Sequence, residues 1–405
     1  MYGLEGIRVI SFNHFFMGPV GVQYLGDLGA DVISIEPLNG AFQRKWGGTG
    51  KSIDGQTMLQ LAGNRNKRSL ALNLKDPRGK EIARQLIAGA DVVTENYRPG
   101  VMDSLGLGYG DAKALKADII YAAASGFGAD GPYVNRPGQD LIIQAMSGLA
   151  AITGTRDGGP RAVGASVVDH HGAALYAMGI LAALLRRERT GQGERVDVNL
   201  LSAAIDLQQE SFVCYLNGGM PEDIRQPGKV AGWYFPAPYG IYPSADGHLA
   251  ISLGALDVVY DVLGIPGAER IVPETAFSQQ EPISNLLARY LALHPTAHWV
   301  EIFEAKGIWH SPVNDYAGVV ADPQVKHLQS FSTLPGTTGA DITLVGHPVR
   351  YDGQVPEIRL APQQLGAQTV SILSGLGFSA DDINLMRSEG VVDWADATDR
   401  STECN

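Results

Sequence analysis

The chain has 405 residues, 45% of them hydrophobic and 18% charged, with 50 glycines and 22 prolines spread along its length. This composition suits two or three folding units with ample core and excludes a low-complexity or disordered chain. The formal net charge of −12 excludes a general affinity for nucleic acid or an anionic membrane, since both need a basic field. The two cysteines, Cys214 and Cys404, show neither CxxC spacing nor a Cys/His cluster, which argues against a disulfide framework or a metal site and makes the cytoplasm the default compartment.

The first residues, MYGLEGIRVISF, read directly as a strand and lack the basic segment, apolar stretch and cleavage site of a signal peptide. Short apolar runs at Arg8 to Phe12, Asp31 to Glu36, Ser69 to Leu74, Asp91 to Glu95 and Asp118 to Ala124 alternate with amphipathic stretches. That alternation predicts βα units, a mainly parallel sheet and a doubly wound α/β core. One intervening helix is expected from Asp76 to Gly89, with Asp76 as cap and Pro77 at the first helical position.

Farther along, GASVVDHHGAALYAMGILAALLRRERTGQGERVDV specifies a helix with defined ends. Asp169 is placed at its N-cap, apolar helix formers run from Ala173 to Leu185, Arg186, Arg187 and Arg189 fill the last turns, and Gly191 stops it. The apolar stretch from Gly172 to Leu185 is shorter than the ~20 residues a bilayer requires, so a core helix is expected. The pattern by itself leaves two roles open for Asp169: a cap for orphan backbone N–H groups, or a reactive carboxylate.

Between Pro221 and Pro243 the chain becomes rich in Pro, Gly and aromatics, a composition that breaks helices and predicts a crossing between domains. The expected division is a large domain from residues 1–220 and 321–405, a linker at 221–238 and a smaller α+β domain at 239–320. In the small domain His248 to Leu253 reads as a strand, and Ile283 to Leu293 and His298 to Lys306 as helices. Asp341 to Leu344 reads as a further strand and Gln368 to Arg387 as an amphipathic tail.

Six segments taken together carry a resemblance: GIRVISFNHFFMGPVGVQYLGDLGADVISIEP, NRNKRSLALNLKDPRGKE, DVVTENYRPGVMDSLGLGY, RPGQDLIIQAMSGLAAITG, the TGQGERVDVNL turn and APQQLGAQTVSILSGLGFSADDI. In this order they resemble the family III CoA-transferases across nearly the whole chain. The resemblance implies a Rossmann-like large domain, two subunits threaded as interlocked rings, and a nucleophilic Asp169. It also implies CoA or acyl-CoA as substrate, no permanently bound cofactor, and CoA contacts from His14, Phe15, Phe16 and Met17, from Leu72, Asn73, Leu74 and Lys75, from Asn96, Tyr97 and Arg98, and from Arg136, Pro137, Gly138, Gln139 and Asp140. An acceptor acid would receive CoA through an aspartyl anhydride and an aspartyl-CoA thioester. The carboxylate is expected to stay ionised beside helix N–H groups, and Arg65, Lys67 and Arg68 are candidate phosphate contacts.

Departures from the family pattern narrow the chemistry. Phe16 stands where formyl-transferring relatives carry a glutamine, and their long glycine-rich loop is not evident at residues 225–245, which disfavours formyl-CoA and oxalate. Phe15 and Phe16, with Trp233, Tyr234 and Phe235, point to a less polar acyl pocket. Arginines of some relatives are replaced by Pro37 and Ser104, leaving Arg98 or Arg136 to compensate. The racemase branch of the family uses a GHD-like motif; here it reads Gly138-Gln139-Asp140, and an amide exchanges no proton near neutral pH. A dinucleotide-binding oxidoreductase is disfavoured because the loop after the first strand, Asn13 to Gly18, lacks GxGxxG. A non-catalytic CoA-binding protein would not need Asp169.

Overall fold

The protein is described here by a computed structural model covering residues 2–219 and 221–395; Cys404 lies outside the described residues. The chain divides into two compact units. The first comprises the described residues up to Asp140, then Val167–Ala203, then those from Lys326 onward; the second comprises Leu141–Ser166 and Ala204–Val325.

The predicted alternation becomes a seven-stranded sheet in the first unit. Its strands are β1 (Arg8–Phe12), β2 (Asp31–Glu36), β3 (Lys67–Leu72), β4 (Val92–Glu95), β5 (Ile120–Ser125), β6 (Arg195–Asn199) and β7 (Val392–Asp393), in the order β7-β3-β2-β1-β4-β5-β6. All neighbours are parallel except β7 on β3. Strands such as Val9-Ile10 and Val92-Val93 are buried throughout, because helices cover both faces; this is why they read as continuous apolar runs instead of alternating ones. The third strand begins two residues earlier than its apolar run suggested, taking in Lys67 and Arg68.

On one face Ile10, Phe12, Leu70 and Val93 pack against α2 (Pro77–Ala88), α3 (Val101–Ser104), α4 (Tyr109–Leu115) and the helices Thr369–Gly375 and Ala380–Ser388. The expected cap of α2 is present, with the Asp76 carboxylate accepting Arg78 N–H. The expected amphipathic tail is two helices, because Gly377 between them takes φ +95°, a conformation that suits glycine. On the other face lie α1 (Met17–Asp27) and α5 (Val167–Thr190), which contact each other. A Cβ at Gly172 would sit 3.0 Å from the Met17 side chain, so glycine is what lets the two helices approach at that level.

The long helix α5 ends as expected, with Gly191 at φ +67° and Arg187 bound to Asp91 at 3.0 Å. It starts three residues before the expected position, so Asp169 is its third residue and not its N-cap. By length and composition α5 could cross a membrane; in the fold one side is buried through Tyr176, Ile180 and Ala183, while Met178 and Leu185 are 61% and 52% exposed.

The second unit has a three-stranded antiparallel sheet, Gly240–Pro243, His248–Ile251 and His310–Pro312, with helices Leu256–Val262, Gln280–Leu291 and Thr296–Lys306 around a core that includes Tyr242, Leu249, Ile283, Leu287 and Phe303. Residues 221–238, expected as a linker, group with this unit. Val230, Trp233 and Ala237 are buried in it, and Trp233 Nε1–H donates to Ser211 Oγ at 3.0 Å. Their Pro and Gly neighbours break helices but leave the apolar side chains free to enter a core.

Candidate active site

Strand order reverses at β1, which lies between β2 and β4. The connections leaving the carboxyl ends of β1 and β4 run apart there, and open α/β sheets bind ligands in the crevice so created. Both connections carry residues expected to hold CoA. They are tied across the crevice: His14 N–H donates to Asn96 Oδ1 at 2.8 Å, Asn96 Nδ2–H donates to the His14 carbonyl at 2.8 Å, and His14 Nε2 lies 3.1 Å from the Asn96 carbonyl. Beneath them the buried Asn13 donates to Ser11 Oγ and Thr94 Oγ1. Burial lowers the pKa of His14, against the Asn96 carbonyl, which favours the charged ring. A neutral imidazole follows, with Nε2 as the donor.

The aromatic side chains continue this ring of contacts. Tyr97 lies 5.1 Å from His14, and Tyr97 N–H donates to Glu95 Oε2 at 2.9 Å. Phe15 takes a left-handed φ of 58°, with its N–H on Gln43 Oε1 and its ring 4.3 Å from exposed Phe42. Phe16 meets the His170 ring edge-on at 4.9 Å. Through that contact the β1 loop reaches the first turn of α5 and Asp169.

Of the two roles left open for Asp169, capping belongs to Asp140. Its Oδ1 accepts the N–H groups of Val168 at 2.8 Å and Asp169 at 3.1 Å, so two orphan donors at the helix start are satisfied from a residue 28 positions upstream. Two residues before Asp140 the backbones of Gly138 and Gly126 touch; a Cβ at Gly126 would lie 2.6 Å from Gly138 Cα. The expectation of a readily ionised Asp169 is also corrected. Its carboxyl is pushed up to about 7, by burial first and by the neighbouring Asp140 charge second. The capping N–H bonds that would have held it low go to Asp140 instead.

Other expected contacts divide by accessibility. Met17 and Leu72 are 4% and 1% exposed, so only their backbones can face a ligand. Asn73 is bound to the Gly390 carbonyl and to Lys75 N–H, which shapes the turn carrying Leu74 and Lys75. Arg98 and Pro137 are not drawn into these bonds, and Arg136 lies 4.1 Å from the Tyr133 ring. The phosphate role expected of Arg65 and Lys67 is not available to them, both being buried, while the Arg68 side chain is 31% exposed. Arg65 is buried against Asp27 at 2.6 Å, Lys67 Nζ is spent on Pro19 O, Gly63 O and Asn64 Oδ1, and Arg68 grips Asp31 through two nitrogens.

A match to the model of CoA-transferase family III spans residues 4–369. The chain is 34% identical to the Succinyl-CoA:glutarate CoA-transferase of Mus musculus, over 97% of this chain and 91% of that protein. It is 31% identical to the Acetyl-CoA:oxalate CoA-transferase of Acetobacter aceti, over 86% and 89%. Among solved structures, a CAIB/BAIF family protein from Brucella suis superposes with a TM-score of 0.81 at 29% identity, covering 93% of this chain and 99% of that one. With a matching family model over most of its length, relatives named for CoA transfer and a shared α/β fold, the chain belongs to CoA-transferase family III and is an enzyme that transfers CoA.

Proposed function

We propose that Asp169 is the nucleophile and that the reaction runs through two covalent intermediates on it. The observation that carries this reading is the placement of Asp169: a half-buried carboxyl with its pKa at about 7, in the first turn of α5 and beside the crevice at the sheet's switch point. A carboxylate with a raised pKa is a better nucleophile once ionised, and part of it is ionised at neutral pH.

Asp169 attacks the thioester carbonyl of the donor and expels the CoA thiolate, leaving a mixed anhydride. The thiolate then attacks the aspartyl carbonyl, which releases the donor acid and forms an aspartyl-CoA thioester. The acceptor carboxylate attacks that thioester, releasing the thiolate and forming a second anhydride. Attack by the thiolate on the acceptor's acyl carbon gives the new acyl-CoA and frees Asp169. The loops at His14–Met17, Leu72–Lys75, Asn96–Arg98 and Arg136–Asp140 hold CoA in this scheme.

The names of the relatives make succinyl-CoA and glutarate the first pair to test, and Phe16 disfavours formyl-CoA with oxalate. The test is a panel of acyl-CoA donors and dicarboxylic, hydroxy and aromatic acids read by mass spectrometry; failure of every pair to exchange CoA would overturn the reading. A racemase reading lacks its second base, because Gln139 occupies the position of the required histidine, and measurable α-proton exchange of a 2-methylacyl-CoA in deuterated water would reverse that ranking. A homodimer of interlocked subunits is part of the proposal, supported by the exposed apolar side chains Met178 and Leu185 on α5, and light scattering at micromolar concentration tests it. The exposed Cys214 thiol suits a cytoplasmic setting, checked by fractionation.

A further inference from the structure

A cleft of about 120 Å³ in the first unit lies at the ends of β4 and β5 beside β6 and is lined by Glu95, Tyr97, Asp103, Tyr121 and Arg195 among others. Glu95 is the last residue of β4, paired with Phe12 of β1 and Ala123 of β5. Its main chain is fixed to α5: Glu95 N–H donates to the Tyr176 hydroxyl at 3.2 Å, and that hydroxyl is 2.6 Å from the Ala122 carbonyl and 3.2 Å from the Glu95 carbonyl. Tyr176 lies two turns along α5 from Asp169. The Glu95 side chain binds in turn the backbone of Tyr97, in the turn whose Asn96 locks His14.

We propose that Glu95 is a positioning residue for CoA, its ionised carboxylate holding the Asn96–Arg98 turn in the conformation that receives CoA. This rests on the reading of that turn as a CoA contact. A hydrogen bond to a charged acceptor is stronger than one to a neutral acceptor, so ionisation tightens the turn and protonation loosens it. Burial raises the Glu95 pKa to about 7, against the Tyr97 N–H, which favours the charge. The charged and titratable groups around it are Arg195, which lowers it, Asp197 and Asp103, which raise it, and the hydroxyls of Tyr97, Tyr109, Tyr121 and Tyr176. Glu95 therefore titrates where Asp169 also does, and binding must be separated from chemistry to see its effect.

The experiment is calorimetric titration of CoA into the Asp169→Asn protein from pH 6 to pH 8.5, alone and combined with Glu95→Gln. Asp169→Asn removes the other carboxyl raised to about 7, and Lys67, which burial lowers to about 7, is common to both proteins. Glu95→Gln keeps an acceptor for Tyr97 N–H and cannot ionise, and CoA's phosphates titrate alike in both proteins. The expected result is an affinity that falls between pH 8 and pH 6 about fivefold more steeply with Glu95 present than with Glu95→Gln. Repeating the Asp169→Asn titration in buffers of different ionisation enthalpy should show proton release on binding near pH 7. Because a raised carboxyl pKa means stability is lost as pH rises through 7, Glu95→Gln is expected to fold at least as well at pH 8. Identical pH slopes with and without Glu95→Gln, or no proton release, would overturn the proposal while leaving CoA binding intact. Absence of CoA binding by either protein at every pH would overturn the reading of the site as well.

Discussion

Two charged regions of the first unit are built on opposite plans. Around Asp27, Arg65 and His347, and around Glu36, Arg44 and Lys67, every charge is buried against a partner: Arg65 and Arg44 are bidentate on carboxylates, His347 adds to Asp27, and Lys67 has three acceptors. At the switch-point crevice Asp169 is instead half-buried next to another carboxylate, and Glu95 is turned into a cleft. Pairing holds Asp27 and Glu36 below the ordinary carboxylate range despite burial, whereas burial raises Asp169 and Glu95 to about 7. The first arrangement fixes the fold; the second stores reactivity at a cost in stability.

The sharpest way to break this contrast is Asp169→Ala, expected to reduce CoA transfer at least about 1,000-fold while the protein still folds. Retention of a tenth of wild-type turnover would place the nucleophile elsewhere. Arg65→Ala should do the reverse, costing about 3–5 kcal/mol of stability by stranding buried Asp27 and leaving the KM for acyl-CoA within twofold; a large KM change with normal melting would restore the phosphate role rejected above. The rate of transfer should rise with pH through about 7 as Asp169 ionises, with roughly a tenth of the plateau at pH 6. Asp140→Asn retains the cap acceptor but removes the charge that raises Asp169, so this limb should move to lower pH in a pH–rate profile. The smallest expected effect is thermal. A carboxyl raised in the fold contributes stability that is complete below its unfolded pKa and is lost as pH rises through the folded value, so Asp169→Asn should melt about 2–4 °C higher than wild type at pH 8 and converge with it near pH 4.

The sheet was legible because buried parallel strands need uninterrupted apolar runs: Arg8–Phe12 and Asp31–Glu36 fall where they were expected. The cap of α2 was legible because Asp76 and Pro77 act within one turn. Asp169 was found through resemblance, but its electrostatics were not, since Asp140 takes the capping bonds from far upstream in the chain. Charge alone misplaced Arg65 and Lys67: Arg65 is buried on Asp27 at the end of α1, and Lys67 Nζ turns back onto Gly63 O, Asn64 Oδ1 and Pro19 O. Glu95 and Tyr176 gave no local signal: one ends a strand, the other occupies a helix face, and their bond exists only because α5 packs on β4 and β5.

The nucleophile itself can be trapped. Incubation of the wild-type protein with a donor acyl-CoA followed by hydroxylamine should leave a hydroxamate on Asp169, read in a peptide digest by mass spectrometry, because hydroxylamine cleaves an activated aspartyl carbonyl. The expected result is modification at Asp169 that depends on acyl-CoA and is absent without it. Active CoA transfer with no hydroxamate at Asp169, or with the hydroxamate on another carboxylate, would contradict the account.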